Sequence, residues 1–309
     1  MQTTILGRTN LAVSRMGLGA GGSSRLGRNA GLTDAQSADL IRHALDGGVN
    51  FIDTAESYGT ESIVGQALHG RDRTGVVLST KKSTRHEKVA PSALQTSLDQ
   101  SLKHLHTDYI DLYNLHGVVP QDYTYLVNDV YPVLQKAQQQ GKIRFVGLSE
   151  MFNEDLEHTM LQQALADDLW DVLMVGFNLL NQTARAKVFA QARAQNVGIQ
   201  TMFAVRKALG HPDNLRAFTD ALVEKGQLDP ADLDAFPDFL LAEAPSLPDA
   251  AYRFCRDEPG VHVVLSGTGN ADHLNANLAS FARPPLTQQT RNRLIHIFRR
   301  VHSTTGQAV

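Results

Sequence analysis

Short β-branched runs alternate eight times with amphipathic stretches of helical period, and this rhythm occupies most of the 309 residues. The runs are "RMGLGA" (15–20), "VNFID" (49–53), "GVVLST" (75–80), "DYIDLYNL" (108–115), "IRFVGLS" (143–149), "DVLMVGF" (171–177), "VGIQTMF" (197–203) and "VHVVLSG" (261–267). Between them, segments such as "TDAQSADLIRHALDGG" put Ala38, Ile41, Ala44 and Leu45 on one face and stop at Gly47-Gly48. That order requires a parallel sheet with right-handed crossovers, and eight units suit a closed barrel better than an open sheet of about six strands. The expectation is an α/β fold: one (β/α)8 TIM barrel over residues 1–309, with "TTILGRTNLAVSR" as an N-terminal β-hairpin turning at Thr9-Asn10 and plugging the barrel floor. Residues 206–248 break the rhythm as a long, acidic, proline-punctuated loop insertion after strand 7. It is expected to be partly helical and to lie near the active-site mouth, since long insertions carry function or are mobile.

Composition narrows the function. With 42% hydrophobic residues the chain can bury a large core, and a net charge of −3 offers no basic field to nucleic acid. Cys255 is the single cysteine, so no intrachain disulfide forms, and "AAYRFCRDE" makes it a packed helical thiol. "MQTTILGRTN" has neither a basic start nor an apolar signal core, and no apolar run approaches the roughly 18 residues of a membrane span. A cytoplasmic protein with no membrane or nucleic-acid partner is expected. Metal ligation is not expected: His104 and His106 stand two apart on a helix, and "LDPADLDAFPD" lacks the spaced glycine and terminal glutamate of a calcium loop.

Gly17, Gly19 and Gly22 have the G-x-G-x-x-G spacing of a dinucleotide-binding turn. Such a turn needs a helix opening at the third glycine. Here "GSSRLGRNAGLT" follows and the first helix signal is Thr33-Asp34, so the context fails. The glycines read instead as a strand end where backbone approaches a ligand, and Gly19 to Gly22 are expected to border the active site.

In a barrel of this kind the active site is built from the C-terminal ends of strands. Those ends carry Asp53, Lys81, His116 and Ser149, with Tyr58 five residues after Asp53. Singly, each has an ordinary structural reading: cap, snorkelling lysine, rim tyrosine or core histidine. Together, in "FIDTAESYG", "LSTK", "DYIDLYNLH" and "GKIRFVGLS", they resemble the aldo-keto reductase superfamily, and the resemblance runs from about residue 3 to residue 282. It implies a (β/α)8 barrel that binds a nicotinamide cofactor without a Rossmann domain, and a catalytic tetrad at Asp53, Tyr58, Lys81 and His116. Lys82 competes with Lys81, but the family phrase puts the lysine directly after Ser-Thr. The chemistry suits carbonyl reduction, because charge develops on oxygen and a proton donor must sit there. Tyr58 is the donor, a nearby ammonium at Lys81 eases release of its proton, Asp53 keeps Lys81 charged, and His116 donates from Nε2 to the same oxygen.

The resemblance also implies cofactor contacts. Ser149 would hold the nicotinamide amide, with Glu150 where an asparagine is usual. Met174 stands where the family has a glutamine, and Asn178 is a substitute. Phe203, or Ala204 by strict alignment, would stack on the nicotinamide. The turn Gly267-Thr268-Gly269-Asn270, with His273 and Asn277 on the following helix, would take the adenosine phosphate. Gly267 and His273 replace a lysine and an arginine of NADP-preferring members, leaving Ser266 and Thr268 as neutral donors and Arg206 or Lys207 for the pyrophosphate. The expectation is reduction of a small-molecule aldehyde, ketone or sugar, with NADP(H) favoured over NAD(H). Two alternatives stand beside it: a cofactor-binding regulatory or scaffold barrel with little turnover, and a metal-dependent barrel hydrolase.

Overall fold

The computed structural model describes residues 1–85 and 88–307. A two-stranded antiparallel sheet comes first, β1 (Thr3–Ile5) with β2 (Ala12–Ser14), registered Thr3 to Ser14. Eight parallel strands follow: β3 (Met16–Gly19), β4 (Phe51–Asp53), β5 (Val77–Ser83), β6 (Ile110–Val118), β7 (Ile143–Glu150), β8 (Val172–Gly176), β9 (Gly198–Met202) and β10 (Val263–Ser266). They close in the order β10-β3-β4-β5-β6-β7-β8-β9, so this is the eightfold barrel that the alternation requires.

Helices α1 (Asp34–Asp46), α2 (Glu61–Leu68), α3 (Pro91–Leu105), α4 (Pro120–Tyr125), α5 (Tyr131–Gln139), α6 (Thr159–Asp167) and α7 (Ala190–Ala194) fill the first six crossovers. Their ends follow the sequence: Thr33 caps α1 in a reciprocal capping box with Gln36, and Pro91 opens α3.

The barrel interior has two layers. Leu6, Leu11 and Val13 of the hairpin close the bottom against Phe51, Val77, Leu112, Val172 and Val263. Above that apolar floor the interior turns polar, with Asp53, Ser79, Asn114 and Gln200 all buried.

Residues 206–248 carry α8 (Pro212–Glu224), a 3-10 turn at Pro230–Leu233 and α9 (Asp238–Leu241). Leu215, Phe218 and Leu222 of α8 are buried in the core. Beyond it lie α10 (Leu247–Arg256), α11 (Ala271–Ala282) and α12 (Gln288–Ile297). Asp232 reaches His296 in the last turn of α12 and Arg299 beyond it, and Phe236 meets Phe298 edge-on at 5.7 Å. Cys255 is buried in α10, with Phe177 O accepting its Sγ–H. Among the described residues, no helix is long and apolar enough to cross a membrane.

The β9–β10 seam is short, with two registered pairs, Val263 to Gln200 and Val264 to Thr201. His262 extends it: its N–H donates to Ile199 O and its Nδ1 accepts from Ile199 N, each at 3.0 Å. Burial, aided by Arg15, lowers the His262 ring from 6.5 to about 4. The unfolded chain therefore takes up this proton at a pH where the fold resists it. Stability should fall as pH drops from about 6.5 towards 4, by roughly 2 to 3 kcal/mol between pH 7 and 4.5 from this residue alone. Urea unfolding of wild type and His262→Gln at both pH values measures it; an equal acid loss in the two proteins would assign that loss elsewhere.

Candidate active site

Strand periodicity decides which of two adjacent lysines enters the barrel. Successive side chains of β5 point to opposite faces. Lys81 is fully buried, its Nζ 2.6 Å from Asp53 Oδ2 and 2.7 Å from Thr54 O. Lys82 turns outward and pairs with Glu56 Oε1 at 2.7 Å. The other Asp53 oxygen accepts from Ser79 Oγ at 2.8 Å, and Ser79 accepts from Asn114 Nδ2 at 3.0 Å. Burial raises the Asp53 carboxyl above its ordinary value, against the opposing pull of Lys81 and Ser79. The ion pair holds its geometry through these extra hydrogen bonds.

Tyr58 ends a 3-10 turn, Glu56–Tyr58, and its ring lies over this charge centre, with Lys81 Nζ 5.2 Å from the ring centroid. A Cβ on Gly21 would stand 2.4 Å from Tyr58 Cε2, so only a glycine lets the β3 loop lie against the ring. The phenol oxygen is 3.4 Å from His116 Nε2, and the two rings meet edge to face at 5.5 Å. Asp53, Tyr58, Lys81 and His116 are thus brought together. Arg85 Nη2 lies 2.9 Å from Nε2, and a guanidinium only donates, so Nε2 is the acceptor here. Burial first, then Lys81 and Arg85, hold this imidazole well below its ordinary value, which keeps it neutral at pH 7.

Asp53, Tyr58, Arg85 and His116 border a cavity of about 880 Å³, with Lys81 buried behind them, and its wall also has Gly19, Gly22, Arg25, Glu150, Phe152, Met174, Phe203, Arg206, Lys207, Gly267 and Gln307. From 206–248, only Arg206 and Lys207 line it. Ser149 is buried beside the cavity rather than in its wall. Glu150 is committed to the protein: its carboxylate takes His158 Nδ1 at 2.9 Å and Gly176 N at 2.7 Å, and burial raises it. Asn178 is no stand-in for a missing amide. Its Nδ2 donates to Phe203 O and Thr305 O while its Oδ1 accepts from Leu180 N and Asn181 N, which spends the whole group on pinning loops.

Phe203 takes the wall position, with Ala204 beside it. The Arg206 guanidinium lies 3.6 Å above the Phe203 ring centroid and donates to Asn153 and Thr305; burial lowers it to about 10. In the last unit Gly267 reaches the cavity, whereas Thr268, Gly269, Asn270, His273 and Asn277 lie outside its wall. Thr268 Oγ1 accepts from Asn270 N, Asn270 caps α11 through His273 N, and Asn277 Nδ2 donates to Ser266 Oγ.

Three further residues escaped the sequence reading. Arg85 was hidden because β5 runs to Ser83, beyond the β-branched "GVVLST", and so carries the next loop into the mouth. Gln200 is fully buried with neither amide atom partnered among the described residues, in register with Met174. His158, which hydrogen-bonds the Glu150 carboxylate, has no motif around it.

Residues 15–297 match the sequence profile described as the Aldo/keto reductase family. NADH-specific methylglyoxal reductase of Escherichia coli (strain K12) is 30% identical over 232 residues, covering 68% of this chain and 69% of that protein. L-galactose dehydrogenase of Arabidopsis thaliana is 34% identical over 152 residues, 47% of each chain, so this match spans about half the length of that relative. The fold is similar to that of aldo-keto reductase AKR11C1 from Bacillus halodurans (holo form), with a TM-score of 0.74, 24% identity and 96% of both chains covered.

Removing one member of the buried pair strands the other. Lys81→Met should cost about 3 to 5 kcal/mol, because Asp53 keeps its desolvation penalty without its counter-charge. Adding Asp53→Asn to that variant should recover part of the loss. Urea unfolding of the single and double variants checks this, and strictly additive losses would show that the two groups do not interact.

Proposed function

The chain belongs to the Aldo/keto reductase family, and on that premise we propose that it reduces the carbonyl of a small aldehyde, ketone or sugar to an alcohol with NAD(P)H, Tyr58 giving the proton. The observation that carries this reading is the convergence of Tyr58, His116 and Asp53 on one cavity at the strand ends, with Lys81 paired to Asp53 behind its wall.

The residues present fit a nicotinamide cofactor. Gly19 and Gly22 offer bare backbone, and Gly267 lets two loops close up, since a Cβ there would be 2.9 Å from Gly19 O. Phe203 stands in the cavity wall, and Gln200 is an unspent buried amide beside Met174. When bound, the cofactor supplies the hydride. Arg206 and Lys207 would hold the pyrophosphate, and the amide ends of the Gly267–Asn270 turn and α11 the adenosine phosphate. With Arg25 they give the mouth a cationic rim, which favours NADPH over NADH.

The rest is the work of this chain's side chains. A carbonyl oxygen at the Tyr58 hydroxyl receives the phenol proton as the C=O electron pair moves onto oxygen. Lys81 stabilises the resulting phenolate from behind the ring, and Asp53 fixes the ammonium in place. A second reading, a cofactor-binding barrel with little turnover, draws on Glu150 and Met174, where amide side chains are usual.

Tyr58→Phe tests the first reading. Its kcat on an accepted carbonyl should fall at least about 100-fold while NADPH binding is retained. Near wild-type turnover would remove Tyr58 from the chemistry. Isotherms for NADPH and NADH, read by nicotinamide fluorescence, should show tighter NADPH binding; equal affinities would contradict the preference.

A further inference from the structure

Glu150 spends its hydrogen bonds on the protein, but its charge still reaches the cavity. It is buried, yet it forms part of the same wall as Tyr58 and His116. Gly176 N donates to its Oε1 at 2.7 Å, and His158 Nδ1 stands 3.0 and 2.9 Å from its two oxygens. The neighbours of His158 decide where its hydrogens lie. Asn181 Nδ2 donates to Thr304 O and Asn181 Oδ1 accepts from Thr183 N, which orients that amide. The Thr183 hydroxyl then has only carbonyl oxygens to donate to, Asn181 Oδ1 at 2.6 Å or Leu156 O at 3.2 Å. Its own oxygen is left to accept from His158 Nε2–H at 2.8 Å. Nδ1, almost equidistant from two oxygens, donates its hydrogen to a carboxylate.

This ion pair is asymmetric about the cavity. His158 is fully buried and lies outside the wall, whereas Phe152, which is in the wall, stacks on the His158 ring at 5.1 Å and 13°. Gly176 makes room for that stack, since a Cβ there would stand 2.1 Å from Phe152 Cδ1. The negative end therefore borders the cavity and the positive end is set back from it. Glu150 is also near the chemistry: it ends β7, the strand beside β6, and is registered with Val118, two residues beyond His116. Asp53, the other acid in the wall, is bound to Lys81.

We propose that Glu150 is a specificity-determining residue for the redox state of the cofactor, its carboxylate, held by His158 and Gly176, favouring the oxidised, positively charged nicotinamide over the reduced, neutral one. This rests on the carbonyl-reductase reading above and deepens it. The nicotinamide ring is uncharged before it gives up hydride to the carbonyl carbon and carries one positive charge afterwards. A fixed anion in a water-poor wall lowers the energy of the charged ring and leaves the neutral ring nearly untouched. Glu150 thus acts through its field rather than by proton transfer, and it draws the reaction towards the alcohol.

The test is calorimetric binding of NADP⁺, NADPH and 2′,5′-ADP, the last of which shares the adenosine phosphates and lacks the nicotinamide. Glu150→Gln should weaken NADP⁺ by about five- to tenfold, with NADPH and 2′,5′-ADP held within about twofold. The double variant Glu150→Gln/His158→Gln strands neither ion in the interior and should show the same selective loss. If NAD⁺ and NADH bind more tightly than their phosphorylated forms, the same contrast is expected between them, with ADP as the third ligand. Equal weakening of the oxidised and reduced forms, a loss that the adenosine diphosphate shares, or unchanged NADP⁺ affinity in both variants would overturn the assignment. Failure of the underlying reading looks different: the wild-type protein would then bind neither the oxidised nor the reduced dinucleotide.

Discussion

The site depends on an ion pair that the barrel pays heavily to bury. Lys81 and Asp53 sit inside the strand cylinder, and taking both from water costs several kcal/mol per ion before their attraction is counted. Ser79, Asn114 and the Thr54 carbonyl offset that cost by satisfying the remaining hydrogen-bonding capacity. A hydrophobic pair of similar volume would serve stability equally well. What the ions supply is a fixed positive charge beneath Tyr58, in a place where water cannot screen it.

Everything above that pair is arranged by backbone economy. Gly21 lets a loop lie flat on the Tyr58 ring, and Gly117 opens the path by which Arg85 reaches His116. The hairpin floor packs apolar side chains into the lower part of the barrel, and Asp53, Ser79, Asn114 and Gln200 form a polar layer above it. The cations of the mouth divide by partner: Arg206 is laid on Phe203 and tied to Asn153 and Thr305, while the Arg85 guanidinium donates to the His116 ring.

Much of this was legible in the sequence because it is periodic. Eight apolar runs define eight strands, and the period of two places Lys81 inward and Lys82 outward once the strand is known. The glycine-rich start was legible as a strand end rather than a nucleotide fingerprint, since no helical period follows it. What escaped depends on partners distant in sequence. The His116 ring is met by Arg85, 31 residues away, and the Glu150 carboxylate is held by His158. Asn178 looked like a free amide, yet it is consumed by backbone groups as far away as Thr305. Of residues 206–248, Arg206 and Lys207 line the cavity, and the apolar face of α8, including Leu215, Phe218 and Leu222, is buried in the core.

The most direct measurement of the central claim follows the hydrogen itself. Single-turnover reduction of 4-nitrobenzaldehyde with NADPH deuterated at C4, analysed by mass spectrometry and NMR of the alcohol, reports its origin. The account predicts one deuterium on the carbinol carbon when the transferred face carries the label, and a solvent-derived proton on oxygen. Alcohol without that label from either labelled face, or label appearing in water, would contradict direct hydride transfer in this site.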